Sequence, residues 1–230
     1  MIKTIRTANS IIKLCANSQV GFDKDENQDS FSYGNANNLF AISVCDGLGS
    51  ATHSAEGSKY AAEKMVECQL NYNKPLEFQK IWMNHFPDNK QFEYNTTARF
   101  IKIDRKYISY GGVGDGLIAF LKGKKVINQT SHGDFSNQTS SIVDPYFVEN
   151  YYESNFEFRK ECICLICTDG FSEDLEAEAL KELLKTAKES LRDNKKSHEF
   201  DEAIKSLLEN WPNKTNGDDK TIAFVLVRRI

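Results

Sequence analysis

Residues 39–50 read LFAISVCDGLGS. The apolar run from Leu39 to Cys45 drives a buried strand outward until Asp46 emerges, and Gly47 then lets the backbone turn closely enough for its carbonyl to face a ligand. The same grammar returns in CLICTDGFSED, residues 164–174, where Asp169 and Gly170 end an apolar run. In TNGDDKTIAFVLV, residues 215–227, Asp218 and Asp219 stand just before the last apolar run. In SYGGVGDGLIAF, residues 109–120, Asp115 lies between two glycine-flanked strands. Asp46, Asp115, Asp169 and Asp218 thus sit where strands end, and there a rigid scaffold can hold a charged group firmly.

Carboxylates gathered at neighbouring strand ends repel one another, and a hard cation such as Mg²⁺ or Mn²⁺ is the usual remedy. Taken singly, each Asp-Gly is also an ordinary turn dipeptide. The spacing alone does not make the strands neighbours.

Further short apolar segments, SIIKLCAN, DSFSYGN, TTARFIKID, LIAFLKG and KKVINQ, read as strands, with hairpin turns at IDRKY and LKGKKV. Helical patterning runs from Ser50 to Leu70 and from Leu175 to Leu191, with further candidates at about Leu76 to Phe86 and Ser197 to Asn210. Strands come in consecutive groups with helices grouped between them, an α+β pattern rather than a doubly wound one. Residues 132–160 are polar, aromatic and irregular, which suggests a long loop or flap.

The 230 residues suit one domain with a sizeable core. With 29 Lys and Arg against 33 Asp and Glu the net charge is −4, so no basic field is available for nucleic acid or anionic lipid. No apolar run is long enough to span a bilayer or to form a signal-peptide core, which points to a cytoplasmic protein without a membrane partner. Six cysteines in such a chain read as reduced thiols. Cys162, Cys164 and Cys167 cluster in ECICLIC and are read as core packing, with metal or redox chemistry the other reading.

Taken in order, NQDSF (27–31), CDGLGSATHSAEGS (45–58), GVGDG (112–116), CTDGFSED (167–174) and NGDDKT (216–221) resemble the metal-dependent protein phosphatases of the 2C type, particularly their compact bacterial members. The resemblance covers essentially the whole chain and implies a single domain over residues 1–230. Its fold would be a four-layer α-β-β-α sandwich, with two central, mostly antiparallel sheets flanked by helices. It implies a phosphoserine/phosphothreonine phosphatase using two Mn²⁺ or Mg²⁺ ions, with room for a third, and direct attack by a metal-bridging water. By the same resemblance Asp46 bridges both ions, the Gly47 carbonyl serves the second, and Asp169 and Asp218 hold the first. Asp29 holds metal-bound water, and Asp115, with Glu173, serves a third ion. Substrates would be phosphorylated proteins, with a cognate Ser/Thr kinase as a further partner. The alternative is a catalytically silent member of the same fold acting as a regulatory binding module.

The chain departs from the family pattern in several places. Lys24 stands where an Arg usually grips the substrate phosphate, and it keeps the charge but loses the bidentate fork; it also reads as a solvated surface lysine. Ser50 replaces a common glycine and suits a helix cap. Leu48 stands where larger relatives carry a His, which leaves His53 as the nearest histidine, either a proton donor or a surface residue. Asp219 replaces a frequent Asn, and Glu173 reads equally as a carboxylate favoured by a helix N-terminus. His132 and His198 have no supporting pattern. No P-loop or Cys-x₅-Arg loop is present, and Cys45, on the opposite side of its strand from Asp46, is read as core.

Overall fold

The computed structural model describes residues 1–22, 24–123, 125–130, 139–211 and 217–230. In chain order the first half holds β1 (Ile2–Arg6), β2 (Ser10–Gln19), β3 (Ser30–Ala36), β4 (Leu39–Cys45), α1 (Ser54–Leu70), α2 (Pro75–Met83), β5 (Ala98–Ile103) and β6 (Tyr107–Val113). The second half holds β7 (Leu117–Lys122), β8 (Lys125–Thr130), α3 (Phe147–Asn150), β9 (Tyr152–Glu157), β10 (Glu161–Cys167), α4 (Asp169–Ser172), α5 (Ala177–Arg192), α6 (Asn194–Glu209) and β11 (Lys220–Arg229). These elements make two compact units, one of residues 1–25, 116–130 and 158–230, the other of residues 26–115 and 131–157.

The first unit is a six-stranded sheet in the order β1-β2-β11-β10-β7-β8. All its pairings are antiparallel, with β11 between β2 and β10. Leu180, Leu184, Ala187 and Leu191 of α5 recur at helical spacing and bury against Ile163, Leu165 and Cys167 of β10 and Ile222, Phe224 and Leu226 of β11. Phe200, Ile204 and Leu208 of α6 join the same cluster. α6 starts at Asn194, three residues before the expected Ser197, because the Asp193 carboxylate caps it by accepting N–H bonds from Lys195 (2.8 Å) and Lys196 (3.0 Å).

The second unit is a five-stranded antiparallel sheet in the order β3-β4-β5-β6-β9. α1 packs across β3, β4 and β5, burying Ala61, Ala62 and Met65 with Cys45, Ala98 and Phe100. The Trp82 indole of α2 is fully buried and donates to the Gly57 carbonyl of α1 (3.2 Å). The helix at Ser50 is corrected: α1 begins at Ser54, its N-cap is His53, and no side chain caps it.

The α+β class and the two antiparallel sheets flanked by helices are as read from the sequence. The stretch read as an irregular flap is more ordered than expected, since Tyr152–Glu157 forms β9 along β6. Its residues are partly or fully exposed, a polar edge strand whose weak alternation hid it. His132, and the rest of residues 131–138, lie outside the described residues. All six cysteines are buried free thiols. Among the described residues no helix is long and apolar enough to cross a membrane.

Glu161 at the start of β10 lies against Lys188 (3.2 Å) and the Arg192 guanidinium. Burial alone would raise its carboxyl, but these cations outweigh burial and hold it below the ordinary value of 4.5. The stabilisation is therefore present above the unfolded-state value and lost as pH falls through the lower folded value. We expect Glu161→Gln to lower stability by about 1 kcal/mol at pH 7. Urea melts of the two proteins should converge on acidification below the ordinary glutamate range.

Candidate functional site

In the first unit, antiparallel pairing brings three strand ends to one corner. The Thr168 amide donates to the Thr221 carbonyl (3.0 Å), and the Thr221 amide donates to Thr168 Oγ1 (3.0 Å). These bonds fix the end of β10 against the start of β11. Ser18 and Thr221 share a hydroxyl bond (2.6 Å), which ties in the end of β2. Asp169 leaves β10 into the short α4, and Gly170 permits the crossing. A Cβ there would lie 2.2 Å from the Asp219 carbonyl oxygen and 3.2 Å from Asp218 Cβ. The same corner therefore holds Asp169, Asp218 and Asp219.

Asp219 is almost wholly buried and uses both carboxylate oxygens. Oδ1 accepts the Gly21 N–H (2.8 Å) and Oδ2 receives the Lys24 ammonium (3.1 Å). Lys24 also meets Asp218 Oδ1 directly, an oxygen that in addition accepts the Asp219 N–H (2.9 Å). Burial alone would lower the Lys24 ammonium, but Asp218 and Asp219 hold it above its ordinary value. The lysine expected to grip phosphate is thus placed on the carboxylates of its own unit. Glu173 follows α4, where its amide donates to the Asp169 carbonyl (2.9 Å) and its side chain is exposed.

In the second unit Asp46 and Gly47 leave β4 beside the two threonines that precede β5. The Asp46 amide donates to Thr97 Oγ1 (2.9 Å), and the Asp46 carbonyl accepts from the Thr97 amide (2.8 Å) and from Thr96 Oγ1 (2.7 Å). The peptide beneath Asp46 is held from both sides. Gly47 lets the preceding loop approach, since a Cβ would stand 2.6 Å from the Gln28 carbonyl oxygen. That loop carries buried Asp29, whose amide donates to Asn27 Oδ1 (3.0 Å). Asp115, in the turn after β6, accepts the Thr139 hydroxyl at Oδ2 (2.5 Å).

His53 is half exposed, stacked on Tyr94 with ring centroids 5.1 Å apart and 3.9 Å from Glu93 Oε2. That is the surface placement among the two readings of it. His198 is exposed on α6. Burial pushes the Cys45 thiol up to about 12, so it offers no thiolate at neutral pH.

Among the described residues no group of three or more His, Cys, Asp or Glu side chains is placed to hold a metal ion. The donor chemistry nevertheless fits a hard divalent cation. Asp169 Oδ1 is buried with no hydrogen-bond partner among the described residues, a costly state for a carboxylate oxygen unless a cation satisfies it. Asp218 and Asp219 stand at the same corner, and carboxylate oxygen is the ligand type that Mg²⁺ and Mn²⁺ favour. The two threonine clamps and the double use of Asp219 escaped the sequence reading. Their traces in it were TTAR at the start of β5, Thr168 before Asp169, and Thr221 two residues after Asp219.

The family model described as protein phosphatase 2C matches residues 23–209. The chain therefore belongs to the protein phosphatase 2C family of metal-dependent serine/threonine phosphatases. Its fold is similar to that of RsbX solved with magnesium, with a TM-score of 0.64 and 16% identity over 100% of both chains. Serine/threonine phosphatase Stp1 from Staphylococcus aureus gives a TM-score of 0.66 at 15% identity, over 99% of this chain and 97% of that one. A bacterial serine phosphatase gives 0.69 at 15% identity, over 93% and 96%. No curated protein matches the sequence.

Replacing Thr97 by Val would remove the acceptor of the Asp46 amide while keeping the side chain's shape. We expect a loss of about 1–3 kcal/mol in urea melts, the cost of an unsatisfied buried N–H. A Thr97→Ser variant, which keeps the oxygen, should recover most of that loss.

Proposed function

We propose that this chain is a catalytically competent phosphatase that hydrolyses phosphoserine and phosphothreonine in proteins with two Mn²⁺ or Mg²⁺ ions, a third serving as an accessory. The observation that carries the proposal is the buried Asp169 Oδ1, without a hydrogen-bond partner among the described residues, at the corner that also holds Asp218. Ligand roles fall to Asp169 and Asp218 in the first unit, and to Asp46 and the Gly47 carbonyl in the second. Asp29 orients water, while Asp115 and Glu173 are assigned to the third ion.

When bound, such ions supply positive charge for the phosphoryl oxygens and an acidified water. The protein's own contribution is positional. Thr168 fixes the backbone at Asp169, and Thr96 and Thr97 fix that at Asp46, each within its own unit, and no side chain acts as nucleophile. Lys24 is the cation assigned to attract the substrate phosphate. The substrate is read as a phosphorylated protein made by a separate Ser/Thr kinase, in a cytoplasmic signalling system. One fold neighbour, with a TM-score of 0.66 and 14% identity, comes from work on the bacterial stressosome, described as a modular system adapted to control secondary messenger signalling.

One observation favours a second reading, a weak or silent member acting as a regulatory binding module: the Lys24 ammonium lies on Asp218 itself. Hydrolysis of an aryl phosphate and a phosphothreonine peptide separates the two readings. Metal-stripped protein titrated with Mn²⁺ should gain turnover, and Asp46→Asn and Asp169→Asn should each lower kcat by about a hundredfold or more. Absence of Mn²⁺-dependent turnover, with the variants indistinguishable from the parent, would leave the binding-module reading.

A further inference from the structure

We propose that Lys24 is a built-in competitor for the metal at Asp218, and that Asp219 is the positioning residue that keeps it there. The proposal rests on the metal-dependent reading above and adds to it what a cation must displace in order to bind. Four contacts carry it. The Lys24 ammonium lies on Asp218 Oδ1, the same carboxylate assigned to the first ion. Asp219 spans the turn that delivers it, taking the Gly21 N–H on one oxygen (2.8 Å) and the Lys24 ammonium on the other (3.1 Å). The Lys24 amide closes that turn on the Gly21 carbonyl (3.2 Å).

The burial of these groups sets what can move. The Asp219 side chain is 1% exposed, whereas those of Lys24 and Asp218 are 24% and 26% exposed. Asp219 is thus the deeper anchor, and the long, more exposed lysine chain is the part with room to shift. A divalent ion approaching Asp218 Oδ1 meets an ammonium already there, and two cations cannot share that oxygen at contact distance. Binding therefore requires Lys24 to leave Asp218. Asp219 retains it nearby, so its charge stays at the corner after displacement. An Asn at position 219 would keep the amide-accepting oxygen for Gly21 but lose the anion that restrains Lys24.

Calorimetric titration of chelator-treated protein with Mn²⁺ alone, at low ionic strength, tests this without reference to turnover. Lys24→Met should bind about tenfold more tightly than the parent, the effect of removing one charge-assisted contact from the competing state. Loss of one positive charge would itself favour a cation, so the decisive protein is the double variant Lys24→Met/Asp219→Asn, which leaves the local net charge unchanged. It should still bind at least about threefold more tightly than the parent, since displacement is no longer needed. Parent-like affinity in the double variant would overturn the proposal, as the gain would then be charge alone. Unchanged affinity in Lys24→Met would also overturn it while leaving the phosphatase reading intact, provided the parent binds Mn²⁺. No binding in any of the three proteins would overturn both.

Discussion

The geometry of the first unit's corner depends on one reciprocal pairing, Thr168 with Thr221. Its two bonds, each 3.0 Å, join the residue just after β10 to the second residue of β11. They do so where a backbone would otherwise splay under the charge it carries. Carboxylates close together repel by several kcal/mol at intermediate dielectric. Side chains on flexible loops would relax apart, whereas side chains on a backbone tied from both directions cannot. Thr96 and Thr97 do the same for Asp46 in the second unit. Each unit therefore sets aside local folding energy to keep its acidic groups fixed.

This accounts for the use of threonine rather than serine or valine at these places. Its methyl group fills the edge of a β-sheet, while its hydroxyl accepts an amide proton that the ladder leaves over. Where β10 gives way to Thr-Asp-Gly, the Thr168 hydroxyl thus takes up the Thr221 amide as the ladder ends. The glycine that follows then permits the close crossing of a second chain, as at Gly170 against the Asp219 carbonyl.

Much of this was legible in the sequence, and the division has a physical basis. Apolar runs ending in Asp-Gly mark a buried strand meeting its turn, so Asp46 and Asp169 declare themselves locally. The amphipathic spacing of Leu180, Leu184 and Leu191 does the same for α5. Partners chosen by strand register are different. Thr168 meets Thr221, and Lys24 meets Asp218, at separations of 53 and 194 residues. No local pattern encodes such pairings, and this is why Lys24 could be read only as a phosphate clamp or a surface charge. β9 was missed for another reason, because a polar edge strand carries almost no alternation to detect.

The central claim is that the Asp169 carboxylate is held for a divalent cation. Mn²⁺ binding followed by electron paramagnetic resonance tests it most directly, comparing the parent with Asp169→Asn at equal protein concentration. The account predicts that the parent removes the free six-line Mn²⁺ signal in proportion to its concentration, and that Asp169→Asn leaves most of it free. Equal uptake by both proteins would show that the cation is held elsewhere and would contradict the account.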